Sequence, residues 1–223
     1  MALVLDTSQP VASSFRLHVL AAVTDFLKKL PEGSRYSVWT TGDRPTKLVD
    51  YTSDPQEGPR ALRRAFLDGG NRLLDALMEV AKDIKKQQEG SRTAVVVVTG
   101  SGLGFADSDR KRVVDEASKS GAVFMGVIFD EGGGPQGGPG GDPDVVGRVD
   151  YDFVLDGLAS RTGGVRETTI SAMGVATGLQ KIAGDLNGRY RLSYATVPEA
   201  KERKLEVKVA RPGVKIRISP ATP

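Results

Sequence analysis

No cysteine occurs in the 223 residues, which excludes disulfides, cysteine-ligated zinc, iron–sulfur clusters and thiol catalysis. A single histidine, His18, rules out a His–His metal site and leaves one candidate base for a Ser–His pair. Aromatic residues are scarce, at 6%, and are not interleaved with basic ones; the net charge is only +3, from 31 basic against 28 acidic residues. That balance argues against nucleic acid as a partner. No run approaches the ~18 apolar residues of a spanning helix, so membrane insertion is not expected. The opening Met1-Ala2-Leu3-Val4-Leu5-Asp6 is too short and too soon interrupted by charge to be a signal peptide. It reads as a strand, so any leader is expected to lie upstream of it.

What remains is an ordinary globular composition, 39% hydrophobic and 26% charged, in a chain long enough to bury about 70% of its unfolded surface without a metal or disulfide staple. Short segments rich in Val, Ile and aromatics read as strands at 2–6, 34–41, 46–51, 93–99 and 122–130. The run Ala94-Val95-Val96-Val97-Val98 does not alternate with polar residues, which suits a parallel strand buried on both faces. Helix-period segments lie between them. In the first, Val11, Phe15, Val19, Ala22, Phe26 and Leu30 recur three or four residues apart, with Pro10 placed for the first turn. Others fall at 59–67, 72–87, 108–120, 153–161 and 171–186, the last with Val175, Leu179, Ile182 and Leu186 as its core stripe.

Strands alternating with helices predict an α/β fold: a doubly wound, mostly parallel, Rossmann-like sheet flanked by helices. The end of the chain differs. Segments 190–197, 204–210 and 214–218 alternate without helices, which predicts an antiparallel C-terminal β extension over 189–223 packed on the α/β domain of 1–188. Within the α/β domain, Glu131 to Asp144 reads as an inserted Gly-rich loop.

In open α/β sheets ligands bind beyond the carboxyl ends of the strands. Three loops qualify: Asp6-Thr7-Ser8-Gln9-Pro10, Asp68-Gly69-Gly70-Asn71-Arg72, and Thr99-Gly100-Ser101-Gly102. An apolar strand ending in Asp-x-Ser, then Gly69-Gly70 leading into Leu74-Asp75-Ala76-Leu77, then a Val-rich strand ending in Thr, then Leu158-Ala159-Ser160-Arg161-Thr162-Gly163-Gly164, resemble the von Willebrand factor type A domain in that order. The ending, Tyr190-Arg191-Leu192-Ser193-Tyr194 followed by Lys204 to Val209 and Arg211-Pro212-Gly213, is similar to that of the bacterial branch called the acidobacterial VWFA-related family.

The resemblance implies a metal-ion-dependent adhesion site built from Asp-x-Ser-x-Ser, a Thr after the Gly pair, and an Asp in a Thr-Asp-Gly turn. Such a site offers hard oxygen ligands to Mg²⁺ and leaves one position for a partner's carboxylate. This chain keeps Asp6 and Ser8. Pro10 stands for the second serine, Asn71 for the threonine and Gly100 for the aspartate, so Asp6, Ser8 and Asn71 form a weak or vestigial set for Mg²⁺ or Mn²⁺. Asp107 and Asp109 are the first acids to suspect as substitute ligands. Against ligation stands a simpler role for Asp6 and Ser8, capping the first helix. Gln9, Arg72 and Ser101 are the candidates for contact with a partner protein.

Other chemistries are weaker. Gly100-Ser101-Gly102-Leu103-Gly104 with Asp130 at the end of the next strand has the outline of a dinucleotide site, but Phe105 replaces the third glycine. Ser8 has no Gly-x-Ser-x-Gly elbow to make it a nucleophile. His18 reads as a flanking helix residue, Trp39 as core, and Lys201-Glu202-Arg203-Lys204 as a solvated turn. The expectation is a non-enzymatic protein-interaction domain with a degraded metal site and no other cofactor, extracytoplasmic as that bacterial family commonly is. The alternatives are a nucleotide-dependent α/β enzyme using Gly100 to Gly104 with Asp130, and a structural module of a larger exported protein.

Overall fold

The computed structural model describes residues 1–87, 93–130, 145–190, 207–210, 213 and 216–219. The main sheet has six strands, in the order β3 (Thr46–Thr52), β2 (Tyr36–Thr40), β1 (Ala2–Leu5), β4 (Ala94–Gly100), β6 (Val123–Phe129) and β8 (Arg166–Thr169). All neighbours are parallel except β2 and β3. A two-stranded pair, β5 (Gly104–Phe105) with β7 (Val145–Val146), stands apart. The doubly wound reading of the sequence is therefore the observed architecture.

The all-valine run is explained by alternation between two cores. Val95 and Val97, with Ala2 and Val4, face helices α4 (Leu73–Lys86), α5 (Arg110–Ala117) and α6 (Arg148–Thr162), where Leu77, Val80, Val113, Val154 and Leu158 complete one buried cluster. Val96 and Val98, with Leu3 and Leu5, face the opposite layer. There the first helical stretch opens as a 3-10 turn at Gln9–Val11, continues through α1 (Ala12–Ser14) and a π turn at Phe15–Val19, and ends in α2 (Leu20–Leu27). Its Phe15, Val19, Val23 and Phe26 join Leu179 and Ile182 of α7 (Val175–Asn187). A strand buried on both faces has no polar side to show, so strict alternation disappears from the sequence.

Differences from the sequence expectation have local causes. β8, Arg-Glu-Thr-Thr, was not foreseen because an edge strand with one partner needs no apolar residues. β3 returns antiparallel after a short loop with no helix between. α3 (Glu57–Leu62) is shorter than the 59–67 segment, and α6 starts ahead of 153, where the Gly147 N–H is held by the Asp150 carboxylate at 3.1 Å. The Gly-rich loop 131–144 and most of the C-terminal extension lie outside the described residues. Within that extension, Ser219 Oγ accepts from Arg189 at 3.3 Å and Arg217 pairs with Asp185, so residues 217 and 219 return to the end of α7.

One buried phenol ties the antiparallel edge to the rest. Tyr36, 1% exposed, donates from its hydroxyl to the Asp54 carbonyl at 2.6 Å and accepts from the Gly58 N–H at 3.0 Å. Tyr36→Phe leaves that N–H without its acceptor and is expected to destabilise the protein by about 2 kcal/mol in urea unfolding.

Candidate functional site

β1 and β4 are neighbours at the point where connections leave for opposite faces of the sheet, and the crevice above their carboxyl ends is where this architecture places a ligand. Asp6 follows β1 into that crevice and is 4% exposed. Its Oδ1 accepts from the Ser8 N–H at 3.0 Å and the Ser8 hydroxyl at 2.7 Å. Its Oδ2 accepts from Asn71 Nδ2 at 2.8 Å, the Gly100 N–H at 3.1 Å and the Thr99 hydroxyl at 3.2 Å.

Asn71 is the hinge of this network. Its amide nitrogen donates to both Asp6 Oδ2 and Thr99 Oγ1, the latter at 2.9 Å, while its oxygen accepts from the Thr41 hydroxyl at 2.7 Å. A carboxylate only accepts, so the donor end of the amide turns towards Asp6. The Asn71 backbone is fixed as well: its carbonyl accepts from the Phe105 N–H at 2.9 Å, and the next residue, Arg72, donates its N–H to the Thr41 carbonyl at 2.7 Å. Gly104 permits this approach. A Cβ there would lie 2.1 Å from the Asn71 carbonyl oxygen and 2.3 Å from the Tyr151 hydroxyl. On the opposite side of the loop, Gly69 takes a φ of +71° against Asp43, a conformation that favours glycine.

Electrostatics follow from burial. Desolvation raises the Asp6 pKa, opposed in part by the hydrogen bonds from Ser8, Gly100 and Thr99. Tyr151 is fully buried, its hydroxyl has no hydrogen-bond partner among the described residues, and its pKa is pushed well up, first by burial and then by the charge of Asp6.

The sequence-derived site residues are thus brought together selectively. Asp6, Ser8 and Asn71 meet, but with Asn71 presenting nitrogen rather than oxygen. Ser8 makes no side-chain cap to the first helical turn; its hydroxyl turns to Asp6 and donates to it. Pro10 is exposed and opens the 3-10 turn. Gln9 is exposed and donates its backbone N–H to the Gly69 carbonyl at 3.1 Å. Arg72 is held between Asp75 and Asp107, and Ser101 donates to Asp130 at 3.1 Å. Asp109 caps α5 through the Arg112 N–H at 3.0 Å, so both acids suspected as substitute ligands already have partners. The stretch from Gly100 to Gly104 runs into β5 and does not open a helix, unlike a dinucleotide-binding turn. No group of three or more His, Cys, Asp or Glu able to hold a metal occurs among the described residues. Sequence reasoning did not single out Thr41, Thr99 and Tyr151 in this network; a threonine just past β2 and another at the penultimate position of β4 were the available signal for the first two.

Comparison with known proteins supports the fold. Residues 1–103 match the von Willebrand factor type A domain. No curated protein matches the chain. Among solved structures, it is similar to the conserved hypothetical protein BatB from Bacteroides thetaiotaomicron, at 13% identity and a TM-score of 0.58, covering 82% of this chain and 98% of that one. It is similar to an aerotolerance-related membrane protein from Bacteroides fragilis, at 16% identity and a TM-score of 0.56, with 82% and 98% covered. It is also similar to proximal thread matrix protein 1 of the mussel byssus, solved with zinc in its metal-ion-dependent adhesion motif, at 18% identity and a TM-score of 0.57, with 83% and 43% covered. At these identities the likeness is one of fold, and the fold is that of the von Willebrand factor type A domain.

The raised pKa of Asp6 makes a signed prediction. With the folded value above the unfolded one near 3.9, protonation favours the native state. The Asp6 contribution is therefore greatest below pH ~4 and is lost as pH rises through the folded pKa. The stability of the wild type relative to Asp6→Asn, from urea unfolding at a series of pH values, is expected to fall as pH is raised from about 4. A flat difference would contradict the assignment.

Proposed function

We propose that the chain is a non-enzymatic protein-interaction module whose metal-dependent adhesion site is degraded and filled by its own amide. The observation that carries this reading is the Asn71 side chain, which donates to Asp6 Oδ2 and Thr99 Oγ1 and so engages oxygens that a cation would need. Mg²⁺ gives up its water reluctantly and relies on one or two carboxylates in near-octahedral geometry. Here one carboxylate remains with both oxygens engaged, and Pro10 and Gly100 supply no side-chain oxygen.

Recognition of a protein is supported by the surface around the crevice. Phe66 is 93% and Ile170 96% exposed, with Met173 and Phe105 also exposed. Phe105 adjoins Gly70 in the loop that carries Asn71, Phe66 stands just ahead of that loop, and Ile170 and Met173 follow β8 at its carboxyl end. Single exposed apolar residues are normal, whereas several near the ligand-binding end mark an interaction surface. Gln9, Arg72 and Ser101 supply polar groups at the same end. We place the module outside the cytoplasm of a bacterium, with 1–188 and 189–223 acting as one unit; a structural relative described as a membrane protein is in keeping with this, and no helix among the described residues is long and apolar enough to cross a membrane.

Calorimetry with millimolar Mg²⁺ or Mn²⁺ is expected to show no binding by the wild type. The triple change Pro10→Ser, Asn71→Thr, Gly100→Asp restores the missing oxygens and is expected to gain a Mg²⁺-dependent rise in melting midpoint. Saturable binding by the wild type would sink the degraded-site reading.

Capture of a partner from native extract is expected to survive a metal chelator and to be lost with Phe66→Ser plus Ile170→Ser. Dependence of that capture on added Mg²⁺ would overturn the reading.

A further inference from the structure

A second polar cluster lies away from the Asp6 crevice, between the edge strand β3 and helix α4. Lys47 stands opposite Trp39 in the β2–β3 register. Its ammonium lies 5.3 Å from the centroid of the Trp39 ring and 5.3 Å from that of Tyr51. On the helix side it donates to Asp83 Oδ1 at 2.7 Å. The Asp83 side chain is only 17% exposed and that of Lys47 24%. Two aromatic faces attract a cation through their quadrupoles, and a shielded carboxylate fixes its charge; proteins use this arrangement to recognise alkylammonium ligands.

Three further observations show that this is more than a surface ion pair. Tyr51 Oη and Asp83 Oδ2 make no well-aligned hydrogen bond among the described residues, although the phenol faces both the Asp83 carboxylate and the Ser37 hydroxyl, so the lysine does not saturate the groups around it. Such atoms are rare in folded proteins and leave polar capacity beside the ammonium. The Trp39 indole N–H is committed to the Ser37 hydroxyl at 3.2 Å, which fixes the orientation of the ring. Lys47 bridges two carboxylates: besides Asp83 it donates to Asp50 Oδ1 at 3.1 Å, on a side chain 79% exposed, so a partner at the rim holds it as well as the one within. Burial works against the charge of Lys47, but Asp83 and Asp50 outweigh it and raise its pKa, so a cation occupies the cage at neutral pH.

We propose that Trp39, Tyr51 and Asp83 form a binding site for an alkylammonium group, the head of a partner's lysine or of its methylated forms, which Lys47 fills here and leaves towards Asp50 when a competing cation enters. The site is independent of the metal-site reading, since it shares no residue with the Asp6 network.

Trp39 is the only tryptophan, so its fluorescence reports this cage alone. Lys47→Ala opens the cage, and Lys47→Met does so while keeping the apolar stem that packs against the rings. Both variants, checked for folding by circular dichroism, are titrated with methylammonium chloride or tetramethylammonium chloride against matched potassium chloride. Each is expected to show a saturable change in Trp39 emission at a midpoint at least tenfold lower than the wild type, and to lose it when Asp83→Asn is added. In the wild type, the Trp39 indole proton–nitrogen NMR signal is expected to move at higher alkylammonium concentration as Lys47 is displaced, which decides the matter even if both variants unfold. A response no greater than that to potassium chloride, or one unaffected by Asp83→Asn, would overturn the proposal.

Discussion

A carboxylate out of water must be matched by donors, and the upper half of this molecule is arranged around meeting that demand for Asp6. Its partners come from the β1 loop, the loop before α4, and the end of β4, while Thr41 at the end of β2 steadies Asn71 from the other side. The carboxylate therefore joins segments far apart in sequence at the one crevice the topology provides. Because the group is buried, each donor matters more than it would at the surface, and a lost partner leaves a desolvated charge rather than a rehydrated one. The loops at this end are held by backbone contacts that suit the same geometry, such as Gln9 to Gly69 and Phe105 to Asn71.

How much of this was legible in the sequence depended on whether the signal was periodic or relational. Val95 to Val98 announced a strand buried twice over, and the structure assigns alternate valines to the two cores. The spacing of Phe15, Val19 and Phe26 announced a buried helical face, though not the π turn within it. β8 was invisible because its residues carry no apolar pattern and its pairing depends on β6. At the site, Asp6 and Ser8 were marked by type and spacing. Asn71 was expected to offer oxygen, and in this structure its nitrogen faces Asp6, because the direction of an amide is set by its neighbours. The deciding neighbour, the Thr41 hydroxyl, lies at the end of a different strand, where no motif flagged it.

The two polar clusters follow one physical rule with different mechanical consequences. In each, a donor from the chain itself meets a shielded carboxylate: the Asn71 amide at Asp6, the Lys47 ammonium at Asp83. The difference is freedom. Asn71 has a short side chain whose amide is engaged at both ends, and its backbone carbonyl is bonded to β5, so withdrawing it breaks several contacts at once. Lys47 has a long flexible stem on an edge strand and reaches an exposed carboxylate as well as the buried one, so it can leave while keeping an ion-pair partner. A neutral amide engaged at both ends resists displacement. A charged group with two anchoring points makes an exchangeable filling, so exchange with a cation from outside is expected at the edge strand rather than at the strand-end crevice.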